Sequence, residues 1–196
     1  MTLQRFAVDN LIATPWKNGG GVTREVVCWP QGAGLDTFDW RISIASIAAS
    51  GPFSAFPGIA RTIMLLDGAG VHLHAADGSI DHRLDTPLEP FSFAGDVALD
   101  CDLLGGASND FNVMTRGDRL SSALRVLRSA GVHGTSTHGL LLVHTGVWTV
   151  CMHGTDEPMQ LAAGEGVWWA DAPQGARLTP ESSDAALIDV RFDPVR

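Results

Sequence analysis

Tyrosine is absent from the 196 residues, and lysine occurs once, at Lys17. The first absence excludes a tyrosine general acid, and the second makes arginine almost the only fixed cation. Cysteine is scarce: Cys28, Cys101 and Cys151 are scattered, odd in number and form no Cys-x-x-Cys pair. That speaks against a disulfide framework or a zinc site and for reduced, buried thiols. No apolar run approaches the roughly 18 residues of a membrane helix, so no membrane partner and a soluble chain are expected. The N-terminus lacks the basic-then-apolar layout of a secretory signal, so the cytoplasm is the expected compartment. Also missing are a Gly-x-Ser-x-Gly elbow, a phosphate loop ending in Gly-Lys-Ser/Thr, and a Gly-x-Gly-x-x-Gly fingerprint. Core material is not missing, because 45% of residues are apolar and 18% charged, a globular composition.

Charge of one sign is thin as well. Net charge is −9, but through Leu65 five basic residues (Arg5, Lys17, Arg24, Arg41, Arg61) meet four acidic ones, while eight basic meet eighteen acidic beyond it. An acidic chain without clustered Lys and Arg excludes nucleic acid and anionic membranes as partners. The few early cations are therefore expected to do local work.

What is present reads as strands. Residues 21–29 alternate, and in Phe38–Ala45 the residues Trp40, Ile42 and Ile44 share one face while Asp39, Arg41 and Ser43 share the other. Further strands are expected at 62–66, 71–75, 91–94, 97–104 and 111–114, with Asp67-Gly-Ala-Gly70 as a hairpin turn. Residues 121–130 fit a helix by the spacing of Leu120, Leu124 and Leu127, and a strand by Leu124-Arg-Val-Leu-Arg128. No other helix is indicated.

Sliding the chain by 76 residues puts Gly70-Val71 on Gly146-Val147, Leu66 on Leu142, Phe91–Ala94 on Val167–Ala170 and Phe111 on Leu187, without a gap. A duplicated all-β unit follows: two jelly-roll-like barrels or sandwiches in one chain, a bicupin-like body. The division is expected as 1–115 and 116–196, with the first strand available to the second lobe.

The densest chemistry lies in Trp16-Lys17-Asn18-Gly-Gly-Gly-Val-Thr-Arg24-Glu25. Three glycines leave the backbone open to close approach. Lys17, Asn18, Arg24, Arg41 and Arg61 sit in or beside such turns and polar strand faces, and together suit a small carboxylate, because guanidinium presents paired donors and ammonium a point charge. Trp16, Phe53 and Phe56 offer an apolar wall, and Asp96 and Asn112 could accept from an amide or imidazole N–H. The competing roles are ion pairs for the arginines (Arg24 with Glu25 or Asp39, Arg61 with Asp96) and backbone turn bonds for Asp96, Asp110 and Asn112. His72-Leu-His74 share a strand face, but no carboxylate or third histidine follows at cupin metal spacing, so they read as surface histidines and no metal is expected.

Five blocks in order resemble the HutD/Ves family: residues 16–25, Asp39–Ala45, Gly51–Arg61, Phe91–Asp96 and Asp110–Met114. The resemblance covers roughly residues 1–115. It implies a cupin-superfamily bicupin associated with histidine utilisation, and a regulator that senses or buffers an acid such as urocanate or N-formylglutamate; no enzymatic activity is established for the family, and other members are linked to cold or stress response instead. Together these readings give a metal-free, cofactor-free bicupin whose partner is a small anionic metabolite, bound by Trp16, Lys17, Asn18, Arg24, Arg41, Phe56, Arg61, Asp96 and Asn112. Two other readings remain open: an isomerase or hydrolase of a similar acid using Lys17 or a carboxylate, and a scaffold that forms a homodimer through Trp168-Trp169.

Overall fold

A computed structural model describes residues 2–155 and 157–195. In chain order its strands are β1 (Thr2–Ala7), β2 (Ala13–Pro15), β3 (Gly21–Trp29), β4 (Trp40–Ile47), β5 (Gly51–Phe53), β6 (Ile59–Gly68), β7 (Val71–His74), β8 (Asp81–Leu84), β9 (Pro90–Ala94) and β10 (Leu99–Leu103). They continue as β11 (Ser108–Arg116), β12 (Leu120–Leu127), β13 (Gly131–Ser136), β14 (His138–Thr145), β15 (Val147–Met152), β16 (Met159–Ala162), β17 (Glu165–Ala170), β18 (Gln174–Pro180) and β19 (Ala186–Pro194). A single 3-10 turn, Val8–Asn10, is the only helical element among the described residues. No helix is long and apolar enough to cross a membrane.

Two compact units result. One comprises residues 12–121, the other residues 2–11, 122–155 and 157–194. The first pairs its strands as β2-β3-β4-β11-β6-β9 and β5-β10-β7-β8. In the second the orders are β12-β19-β14-β17-β1 and β13-β18-β15-β16. Shifting β6 through β11 by 76 residues lands on β14 through β19 one strand at a time, and the two pairing orders then coincide from β4 to β9 and from β5 to β8. The internal repeat is thus a repeat of topology. All ladders with a given register are antiparallel, so both units are all-β double sheets.

The structure decides one reading left open and corrects two others. The ambiguous stretch after Leu120 is strand β12, and its half-exposed alternation suits a sheet, not a helix. Asp67–Gly70 is not a hairpin turn, because β6 pairs with β11 and β9 while β7 pairs with β10 and β8. The segment is a corner between two sheets, and Gly70 is required there: φ is +82° and a Cβ would stand 2.1 Å from the Leu84 carbonyl oxygen. Gly146, its counterpart in the second unit, also has positive φ. Finally, Trp168 and Trp169 are buried in the second unit's own sheet beside β1 and β14. They are core residues and offer no apolar face for a dimer.

Register in the first unit decides what its interior contains. On β11 the inward residues are Ser108, Asp110, Asn112 and Met114, flanked by β4 and β6. Met114 lies between Arg41 and Arg61, Asn112 between Ser43 and Ile63, and Asp110 between Ala45 and Leu65. The last pair belongs to the apolar cluster with Ile47, Val71, Leu73 and Leu99. One half of the barrel interior is therefore a packed core, and the other half is polar.

Candidate functional site

That polar half opens into a cavity of about 590 Å³, within the range of small-molecule clefts. Its lining comes from residues 14–18, Thr23, Leu35, Arg41, Ser43, Ala45, residues 52–54, Phe56, Arg61, Asn112 and Met114. No His, Cys, Asp or Glu is among them.

The mouth is built by the glycine-rich turn. Trp16 donates its indole N–H to Thr23 Oγ1 at 2.7 Å, and its ring lies where Gly21 allows: a Cβ there would be 3.2 Å from the ring and 2.4 Å from the Ser46 carbonyl oxygen. Gly21→Ala is therefore expected to displace Trp16 or break the β3–β4 ladder. Asn18 folds back, its Oδ1 accepting from the Gly20 N–H at 3.0 Å, a local turn bond that leaves its amide N–H groups for other partners. Lys17 stands exposed beside it and forms no ion pair among the described residues.

Deeper in, Arg41 has a side chain only 12% exposed and is fixed by Glu25 at 2.8 Å, with Ser43 Oγ at 3.3 Å. Arg61 lies at the base, 7% exposed. Its guanidinium donates to the Ser54 carbonyl at 3.0 Å and to Asn112 Oδ1 at 3.4 Å, and sits 4.4, 5.1 and 5.3 Å from the ring centroids of Phe53, Phe93 and Phe56. Its Nε–H has no partner, and no carboxylate pairs with it among the described residues. Burial, with a smaller contribution from Arg41, pushes its pKa down to about 10, so it remains cationic at neutral pH. A buried cation held by neutral dipoles and aromatic faces, with no counter-ion, is costly unless an anion completes it.

Of the residues singled out from sequence, Trp16, Lys17, Asn18, Arg41, Phe56, Arg61 and Asn112 are brought together here. Arg24 and Asp96 are not. Arg24 stands opposite Ile44, on the face turned away from Thr23 and the cavity. Asp96 accepts from the Gly58 N–H at 3.1 Å, so it closes the 51–58 loop that carries Phe53 and Phe56. The ion pairs also differ from those considered: Glu25 takes Arg41, and Asp39 takes Arg119. Thr23 and Met114 join the lining beyond the candidates from sequence, as does Ser43, whose face-sharing with Arg41 was the available signal; Thr23 and Met114 carry the same two-residue spacing from Glu25 and Asn112.

Beneath the cavity, Asp110 is fully buried, with Oδ1 accepting from Ser108 Oγ at 3.0 Å and Oδ2 unpartnered. Burial pushes its carboxyl up to about 7, against the Ser108 hydrogen bond, which lowers it. The folded state then holds a proton that the unfolded chain has released, so stability is greatest below about pH 4 on this account, falls through pH 4–7 and levels off above. Asp110→Asn is expected to flatten that decline and be more stable than the parent at pH 8, by at most about 4 kcal/mol. Urea denaturation at pH 5 and pH 8 checks it.

Two of the cysteines are held as thiols: burial raises Cys101 to about 12 and raises Cys28 as well. The second unit contains a Ser-His-Asp series, with His133 Nδ1 bonded to Asp189 and Nε2 3.0 Å from Ser136 Oγ. It is closed. Asp189 and His133 are 0% exposed and Ser136 is 4% exposed, and the Ser136 hydroxyl donates to the His138 carbonyl at 2.9 Å, away from the imidazole. The series fixes strands β13, β14 and β19 together and receives no substrate.

A family model described as HutD matches residues 9–187. Protein Ves of Escherichia fergusonii is 32% identical over 193 residues, covering 98% of this chain and 96% of that protein. A conserved protein of unknown function from Pseudomonas aeruginosa has a crystal structure that superposes with a TM-score of 0.87 at 34% identity, over 98% of this chain and all of the other. HutD of Pseudomonas fluorescens gives 0.77 at 31%, again over 98% of this chain and all of that one. Oxalate decarboxylase of Lactobacillus farciminis, at 10% identity and a TM-score of 0.69 over 97% of this chain and 86% of that chain, shares the cupin fold alone.

Proposed function

The chain belongs to the HutD family, and from that premise we propose that it is a binding protein for a small organic carboxylate of histidine catabolism, of the urocanate or N-formylglutamate type, and acts as a regulator of histidine utilisation. The observation that carries the reading is Arg61, a buried guanidinium without a carboxylate at the base of a cavity. A ligand carboxylate would complete the guanidinium at its terminal N–H groups, alongside the Ser54 and Asn112 acceptors, with Lys17 neutralising the entrance and the Phe53 and Phe56 edges beside the ligand's planar part. The lining has no imidazole or carboxylate and Arg61 stays charged, which leaves Lys17 at the entrance as the one amine able to exchange a proton; this favours binding over turnover.

Calorimetric titration with urocanate and with N-formylglutamate, alongside chromatography of the same mixtures, tests the reading. One-to-one binding that weakens as salt is raised, with the acid recovered unchanged, is expected; conversion of either acid would instead support an isomerase or hydrolase. Lys17→Ala is expected to weaken binding roughly 3- to 10-fold, as for loss of an exposed charge, with most of the salt dependence lost.

A further inference from the structure

The sheet β5-β10-β7-β8 has an outward face unrelated to the cavity. Strand β7 alternates: Val71 and Leu73 point into the core, while His72 and His74 point outward, with side chains 30% and 35% exposed. Their rings are neighbours, with centroids 5.0 Å apart. Register brings Asp102 of β10 opposite His72 and Asp81 of β8 opposite His74. Diagonal contacts result: His72 Nε2 is 2.5 Å from Asp81 Oδ1, and His74 Nε2 is 2.9 Å from Asp102 Oδ2. Arg83, opposite His72, pairs with Asp85 at 3.1 Å, so the two imidazoles are the partners of Asp81 and Asp102 on this face.

One ligand atom each from His72, His74 and Asp102 lies within 4.8 Å of the others. From this juxtaposition the geometry points to a binding site for one divalent transition-metal ion of the zinc type, ligated by His72, His74 and Asp102, with Asp81 at its rim. Two imidazoles and a carboxylate are a donor set for zinc, cobalt or nickel rather than for calcium or magnesium, which take oxygen ligands. Bonds of about 2.0–2.1 Å bring ligand atoms to roughly 3.4 Å from one another, so side-chain rotation on fixed strands suffices to close the cluster. Half-exposure leaves the remaining coordination positions to water. The ion would clip β7 to β10, and through Asp81 to β8. Sequence spacing hid the site because its carboxylate comes from a strand 28 residues downstream, across the sheet.

Zinc, and cobalt as its spectroscopic substitute, titrated into the chelator-treated full chain test this. One equivalent is expected to bind, with a rise in Tm and visible absorption for the cobalt form. His72→Ala and His74→Ala should each weaken binding at least 10-fold and together abolish it, with metal-free Tm changed by no more than about 2 °C, as expected of surface positions. His153→Ala should leave it intact. Absence of binding at 100-fold molar excess of zinc, or one-equivalent binding that survives the double substitution, would overturn the assignment.

Discussion

Arg61→Met is expected to lower carboxylate affinity by at least about 100-fold while leaving the ligand-free protein as stable as the parent or more so. Both halves follow from where the guanidinium sits. Charge-assisted hydrogen bonds contribute about 1.5–3 kcal/mol each, and two lost at one carboxylate amount to roughly two factors of ten or more. The stability half is less intuitive. Arg61 is buried, lacks a carboxylate partner and is caged by Phe53, Phe56 and Phe93, so an unbranched apolar side chain of similar length packs against the same rings without the desolvation cost. The Ser54 carbonyl and Asn112 Oδ1 that it leaves behind border the cavity and can be hydrated. Arg61→Lys, a point charge without the planar fork, is expected to recover only part of the affinity. Calorimetry with thermal unfolding separates the two effects. A Tm fall of more than about 5 °C for Arg61→Met would mean that the arginine serves the fold.

Asp189→Ala is expected to have the opposite signature, a loss of about 3–5 kcal/mol in stability with no direct role in ligand binding. Asp189 is fully buried on β19 and is the shared acceptor of Arg125 from β12 and His133 from β13. Its removal leaves a buried imidazole and a guanidinium facing a hole, while Ser136, bonded to His133, loses the group that orients its partner. Asp189→Asn keeps the volume and one acceptor, so a smaller loss is expected. Urea denaturation followed by circular dichroism measures it. A change below about 1 kcal/mol would show that the network contributes little beyond its packing.

Much of this architecture was legible in the sequence because it rests on local signals. The 76-residue offset located Gly70 and Gly146 at the same topological corner, and the alternation through Trp40, Ile42 and Ile44 marked a strand with one dry face. What stayed hidden was which way the other face looks. Arg41 and Ser43 alternate like solvent-facing residues, yet they line a cavity, since β4, β11 and β6 wrap their polar positions inward at one end and their apolar positions inward at the other. Register decides that, and register is a tertiary property. Arg24 shows the same limit: it shares a motif with Lys17 and Asn18, but one step of a two-residue period turns it to the opposite face. Asp110 reads as an ordinary turn acid, and only the strands around it bury it, as others bury Asp189. Likewise Asp102 joins His72 and His74 across a ladder that no linear spacing records.

The measurement closest to the central claim is a crystal structure of the protein with bound urocanate. The carboxylate is expected within hydrogen-bond distance of the Arg61 guanidinium, with the ring lying along Phe53 and Phe56 and Lys17 at the entrance. Urocanate bound at another surface, with the Arg61 cavity holding only water at saturating ligand, would contradict it.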